Sequence, residues 1–292
     1  MLDLLQSAFV RTLIERVLLL PAVVTAIYGF GGRYLTSAAA ADRRGALWAA
    51  GLLAGFLSGY AVTYRDFSFP PRTVLSWLPL LAVGAAVVIG AVGRHPGRFR
   101  IPGARALIVA ASTYILLRPV LQQESGSVAC ISWLGAAALW FLLWSGLALS
   151  QEDQRAGGVA VFVVAAGLTL VAPLSGSIEI AQFSASLATV LAVGLVFSLF
   201  MAPTRWNPPT ADVAILILGT LMVDLRFYAD APRIVMAWLV AALVVASLAI
   251  GWMRRRSSSR EERVIGAGLA ALLPVAVALW KALRIYHQRG GY

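Results

Sequence analysis

The chain has 292 residues, 60% of them hydrophobic and 13% charged, with a mean hydropathy of +0.82 and a formal net charge of +11. A soluble domain carries about 25% charged residues, so that class is excluded. The 24 Lys and Arg are set between apolar runs and form no aromatic-interleaved basic domain, which argues against nucleic acid as a partner.

An α-helix crossing the bilayer core needs roughly 20 apolar residues. The chain supplies such runs almost end to end, without strand-like alternation. It reads as all-α: a polytopic helical membrane protein of ten spans in a single membrane domain, 1–292, with the plasma (inner) membrane of a bacterium as its expected location.

Met1 to Arg16 mixes apolar residues with Asp3, Arg11, Glu15 and Arg16 and leads into span 1, Val17–Tyr34. Arg11 and Glu15, four apart, fall on one helical face. No small-residue cleavage site follows, so span 1 is expected to stay as the first helix. Asp42-Arg43-Arg44 precedes span 2, Gly45–Tyr64. Its GLLAGFLSG run, like the small residues of spans 3 and 5, suits close helix packing. Pro70-Pro71 divides span 2 from span 3, Val74–Gly93, with proline expected in a first helical turn. The connection RHPGRFRIPGAR holds four arginines and His95, and span 4, Ala106–Leu121, is short and ends at Arg118-Pro119.

Span 5, Val128–Leu149, carries no charge. The polar QEDQR leads to span 6, Gly157–Leu174, and a turn with Glu179 leads to span 7, Phe183–Met201. After the loop Pro203–Pro209 comes span 8, Ala211–Val223, the shortest of all. Span 9 is Ile234–Met253; the hydrophilic RRRSSSREER follows, then span 10, Val264–Tyr286.

With ten alternating spans, the loops after spans 1, 3, 5, 7 and 9 share a side and, with Arg33 at the end of span 1, hold fourteen of the 24 basic residues. Positive residues stay cytoplasmic, which puts both termini outside. The loops Arg94–Arg105 and Arg254–Arg263 are the densest, and the anionic headgroups of the lipid bilayer are their expected partner.

Arg65–Arg94 recurs at Arg226–Arg255. In the twenty-four positions from Pro71 to Arg94 there are ten identities without a gap, among them Pro71-Arg72 with Pro232-Arg233, Trp77 with Trp238 and Ile89-Gly90 with Ile250-Gly251. Six spans of offset make this a parallel repeat, with halves 17–123 and 183–286 joined by linker spans over 128–176. Transporter sites commonly lie where such halves meet.

The paired segments supply the candidate substrate-binding residues: Arg65, Arg72, Arg226 and Arg233, with Asp224 and Asp230 nearby. Guanidinium forks bind carboxylate or phosphate bidentately, so a small anionic or lipid-like substrate fits them. The competing reading is that these arginines snorkel at the interface beside the belt residues Trp77 and Trp238. Arg118 joins the candidates because a charge at a span centre costs roughly 2.5–3.5 kcal/mol, although Pro119 and Gln122-Gln123 suggest a span end. Glu15, Glu179 and Asp224 each sit near a span end, and no carboxylate is read at mid-depth. Proton or sodium coupling is therefore not supported.

Cys130, the only cysteine, opens a span in SVACISWLG, as the cysteine of exosortases does. The small-residue motif that follows it in that family is missing, and the one downstream histidine, His287, is at the far end. Size and span number resemble the drug/metabolite transporter superfamily, whose five-span halves are inverted where this repeat is parallel. Neither resemblance transfers residues. There is no HExxH, glycine-rich phosphate loop or GxSxG, so no catalytic residue, metal or cofactor is assigned. The leading expectation is a non-enzymatic carrier of a small anionic or amphiphilic substrate. The alternatives are a membrane-embedded enzyme acting on lipid-linked or peptide substrates and a non-catalytic subunit of a membrane complex.

Overall fold

Apolar runs of this length cannot leave backbone N–H and C=O groups unpaired in hydrocarbon, and helices satisfy them internally. The computed structural model describes residues 14–35, 41–64, 69–71, 73–93, 100–149, 154–200, 208–256 and 258–289, and no strand occurs among them. A π-helical turn, Ile14–Leu19, opens into α1 (Leu20–Leu35); α2 (Ala41–Thr63), α3 (Val74–Gly93), α4 (Arg100–Leu121) and α5 (Gly126–Leu149) follow. Then come α6 (Gln154–Leu174), α7 (Ile178–Phe200), α8 (Pro208–Phe227), α9 (Arg233–Arg255) and α10 (Arg260–Gln288). Each expected span thus has a helix.

Eight of these helices are long and apolar enough to cross a membrane. The other two are α2, whose apolar part Leu47–Thr63 is shorter, and α8, which carries Asp212, Asp224 and Arg226. The chain is a polytopic α-helical membrane protein.

Several boundaries move outward from their sequence expectations. Span 4 begins at Arg100 instead of Ala106. Pro102 and Gly103 read as loop residues, but proline is tolerated in a first helical turn, where its missing N–H has no intrahelical acceptor. Span 8 gains residues at both ends, taking in Asp224 and Arg226. In α10 the start moves back to Arg260, because Ser259 caps it: the Ser259 Oγ accepts from the Glu262 N–H at 3.2 Å, and Glu262 Oε2 accepts from the Ser259 N–H at 2.9 Å. This reciprocal capping box satisfies two donors at a helix start. The two repeat prolines do not sit inside first turns. Pro232 is the residue immediately before α9, and Pro71 lies ahead of α3, which starts at Val74.

Contacts between distant residues join helix ends in an alternating pattern. At one end, Ser186 near the start of α7 donates to the Val17 carbonyl, and Tyr60 near the end of α2 stacks on Phe183. At the other, Ala156, Ile250 and Ala267 bring the start of α6, the end of α9 and the start of α10 together. We call the second the basic end, since the loop after α9 lies there, and the first the far end. Alternation runs α3 and α9 in the same direction. Leu78, Ala85 and Ile89 of α3 and Leu239, Ala246 and Ile250 of α9 are all buried.

The glycines of GLLAGFLSG work as their spacing suggests. Gly51, Gly55 and Gly59 line one face of α2; a Cβ at Gly55 would lie 2.1 Å from Thr25 Oγ1, and one at Gly59 2.6 Å from Ser186 Oγ. Small residues here let the backbones of α1, α2 and α7 approach. Gly84 and Gly90 of α3 and Gly135 of α5 have nothing within 4 Å, so close approach is confined to α2 within this set.

The core is built around α8. It packs against every other helix from α2 to α9. Val213 to Leu218 are buried without interruption, as are Leu221, Met222 and Leu225. A helix hidden on all sides by other helices, not by lipid, is free to carry charge, and the candidate site follows from that.

Candidate functional site

Near the basic end, α8 presents Asp212, 1% exposed, one turn in from its start. Arg105, in the second turn of α4 and 6% exposed, places Nη2 2.8 Å from Oδ1 and 3.0 Å from Oδ2 of that carboxylate. Trp144, fully buried in the last part of α5, donates its indole N–H to Oδ1 at 2.6 Å. The Arg105 guanidinium also lies 6.0 Å from the centre of the Trp144 ring. Three helices are thus tied to one carboxylate. Arg105, expected in a basic loop facing lipid headgroups, is instead a helical residue paired inside the bundle.

Near the far end of the same helix sits Asp224, also 1% exposed. Twelve residues from Asp212, it is roughly 18 Å away along the axis at 1.5 Å per residue. Neither of its carboxyl oxygens has a hydrogen-bond partner among the described residues. One turn later, Tyr228 donates its hydroxyl to the Leu116 carbonyl of α4. Burial first, and then the neighbouring Asp224 carboxyl, push the Tyr228 phenol up to about 12.

The sequence-derived candidates divide as follows. Arg65 and Arg72 lie outside the described residues. Arg226 is a quarter exposed; its Nη1 donates to Asp230 Oδ1 at 3.4 Å and to the Ala231 carbonyl at 3.3 Å, long contacts that leave most of the guanidinium uncommitted. Asp230 is exposed in the turn between α8 and α9, at a φ of 48°, a left-handed conformation that aspartate tolerates better than most residues. Arg233 and Arg118 are exposed. Among the described members of the set, therefore, only Arg226 and Asp230 are in contact, while Asp224 is buried apart from them. Asp212, Arg105 and Trp144 were not among the candidates; both acids of α8 are buried, and both lie within about one turn of its ends, not at mid-depth.

Beside α8 lies a groove of about 150 Å³ between α5, α8 and α9. Leu139, Leu143, Leu218 and Val240 form its apolar walls, and Arg226 and Phe227 stand at its far end. Trp140 presses on Gly219, where an added Cβ would meet Trp140 Cε2 at 2.1 Å. Trp140 is 5% exposed, and its Nε1–H, on a residue lining the groove, has no acceptor among the described residues.

Cys130 is exposed in the first turns of α5. Among the described residues, no three or more of His, Cys, Asp and Glu come together.

No protein-family model matches the chain, and no curated protein is similar to it. The class established by the fold is therefore the whole of the assignment: an integral membrane protein of many apolar helices packed around one charged central helix.

Proposed function

We propose that the protein is a carrier that moves a small anionic or amphiphilic substrate across the bilayer along α8. The observation that carries this reading is the pair of buried carboxylates near opposite ends of the central helix. Charges inside a membrane bundle are costly and line substrate paths or gates by default. Asp212 is closed onto Arg105 and Trp144, whereas Asp224 has no such clasp among the described residues. Unequal closure at two ends is what a gated path requires. An anion reaching the basic end competes with Asp212 for the Arg105 fork, since guanidinium binds carboxylate and phosphate alike. Opening of the clasp then follows from differential binding of substrate to the opened state.

The test is alternating access at the middle of α8. Thr220 is fully buried there. In a Cys130→Ala background, Thr220→Cys should react with a membrane-impermeant maleimide from each side in turn, and Asp212→Asn should raise labelling from the basic end severalfold. A thiol that stays unreactive from both sides in every variant removes the carrier reading and leaves α8 a structural core, as suits a non-catalytic subunit.

A further inference from the structure

The groove between α5, α8 and α9 combines three features that a lipid-facing depression does not need together. Its walls are apolar for their whole length. Trp140, which lines it, holds a buried indole N–H set against Gly219, with no acceptor among the described residues. A buried donor without a partner costs about 1–3 kcal/mol, so such groups normally meet one. At its far end stands Arg226, which among the described residues hydrogen-bonds through Nη1 alone, and that through long contacts. A guanidinium has five N–H donors in a fork suited to phosphate, so most of this one is free to bind. Val223 and Arg226 both line the groove, so α8 itself carries the line from apolar wall to cation.

We propose that this groove binds one molecule of an anionic phospholipid from the leaflet at the far end. Its phosphate sits on Arg226, an ester oxygen accepts from the Trp140 Nε1–H, and one hydrocarbon chain runs between α5, α8 and α9. The cavity is of the size that holds a benzene-sized apolar group in an engineered protein core, so it takes part of one chain and leaves the rest in the bilayer. Charge decides the class of occupant. A zwitterionic lipid offers the same chain but brings its own cation to the phosphate, and gains less from Arg226. This deepens the carrier reading by naming an anionic lipid as its substrate class, and it rests on that reading only for the step from bound to carried.

The experiment uses the full chain in phosphatidylcholine nanodiscs with two photoactivatable lipids of equal chain length, a phosphatidic acid and a phosphatidylcholine. Cross-linked peptides are mapped by mass spectrometry. The expected result is labelling concentrated at the groove residues of α5, α8 and α9, on the order of tenfold stronger with the phosphatidic acid. Arg226→Gln should bring the anionic probe down to the level of the choline probe. Trp140→Phe, which keeps a ring of similar bulk, should lower it severalfold, and Val240→Phe, which fills the groove, should abolish labelling by both. Equal labelling by the two probes in the wild-type protein, or labelling spread over the lipid-facing helices, overturns the proposal and needs no variant to fold. So does a groove protected by a second copy of the chain. Groove labelling together with an unreactive Thr220→Cys would keep the lipid site and remove the carrier; a reactive Thr220→Cys without groove labelling would do the reverse.

Discussion

Asp212→Leu is the substitution with the largest expected consequence, because it strands two donors at once. Arg105 keeps its charge, with a side chain 7% exposed, and Trp144 keeps an N–H at a fully buried site. Removing one partner of a buried ion pair typically costs about 3–5 kcal/mol, since the remaining charge is uncompensated. A stranded neutral donor adds about 1–3 kcal/mol. Even the lower figures together, about 4 kcal/mol, shift the folding equilibrium about a thousandfold. Arg105→Met alone strands Asp212, which retains only the Trp144 hydrogen bond, and falls in the same 3–5 kcal/mol range, about that of any broken buried pair.

The double variant Arg105→Met with Asp212→Leu behaves differently. It removes both charges and replaces them with apolar groups of comparable size, which is often close to neutral. What remains is the stranded Trp144 N–H, about 1–3 kcal/mol, and Trp144→Phe as a third change relieves it. The double variant should therefore be more stable than either single one, with a coupling energy of about 6 kcal/mol on the lower figures above, beyond the roughly 3 kcal/mol usual for residues in direct contact. Reversible unfolding in mixed micelles, driven by a denaturing detergent, measures all four corners of the cycle. Additive costs, or an Asp212→Leu cost below about 1 kcal/mol, would refute the reasoning that a desolvated pair holds α4, α5 and α8 together.

Asp224→Leu should leave stability unchanged or raise it by up to about 1–3 kcal/mol in the same unfolding assay, because the carboxyl it removes has no partner among the described residues to strand; a loss comparable to that of Asp212→Leu would show that Asp224 is held by a contact. Gly59→Ala should cost about 1–3 kcal/mol, its Cβ falling 2.6 Å from Ser186 Oγ and 2.9 Å from Pro21 Cγ. Gly84→Ala, with open space around it, should be neutral or stabilise by up to about 1 kcal/mol through helix propensity. Ser259→Ala should destabilise the start of α10 by about 1 kcal/mol, read as faster amide exchange over its first turn. Thiols introduced at Gly97 and Ser258 in a Cys130→Ala background should both label from the cytoplasmic side, and labelling from opposite sides would break the alternation of the ten helices.

Sequence patterning located the helices and missed the site for one physical reason. Hydropathy reports what a helix touches only when it touches lipid. The peripheral helices α3, α5 and α9 show long runs of apolar residues to lipid, with Val87, Leu142 and Leu248 all well exposed, and their limits were legible almost to the residue. The packing role of GLLAGFLSG was legible too, since small residues at helical spacing leave only one way for backbones to meet. The helix in the middle meets no such demand. Its expected span, Ala211–Val223, stopped just short of Asp224, because charge in an apolar run looks like the edge of the membrane.

Arg105 was obscured in the opposite way, since Pro102-Gly103 mimics a loop and makes a helical arginine look like an interfacial one. Its partner lies 107 residues downstream, beyond any local pattern. Two signals were present: the Ser259-to-Glu262 spacing of a capping box, and acids enclosed in the run ADVAILILGTLMVDLRF. The second identifies α8 as unusual but goes no further. Asp212 stands between Ala211 and Val213, Asp224 between Val223 and Leu225, and locally the two acids are alike. One is clasped by an arginine and an indole from α4 and α5, and the other by nothing among the described residues. Which is the clasp and which the open carboxyl is a property of the neighbouring helices, so it becomes visible only when the chain is folded around them.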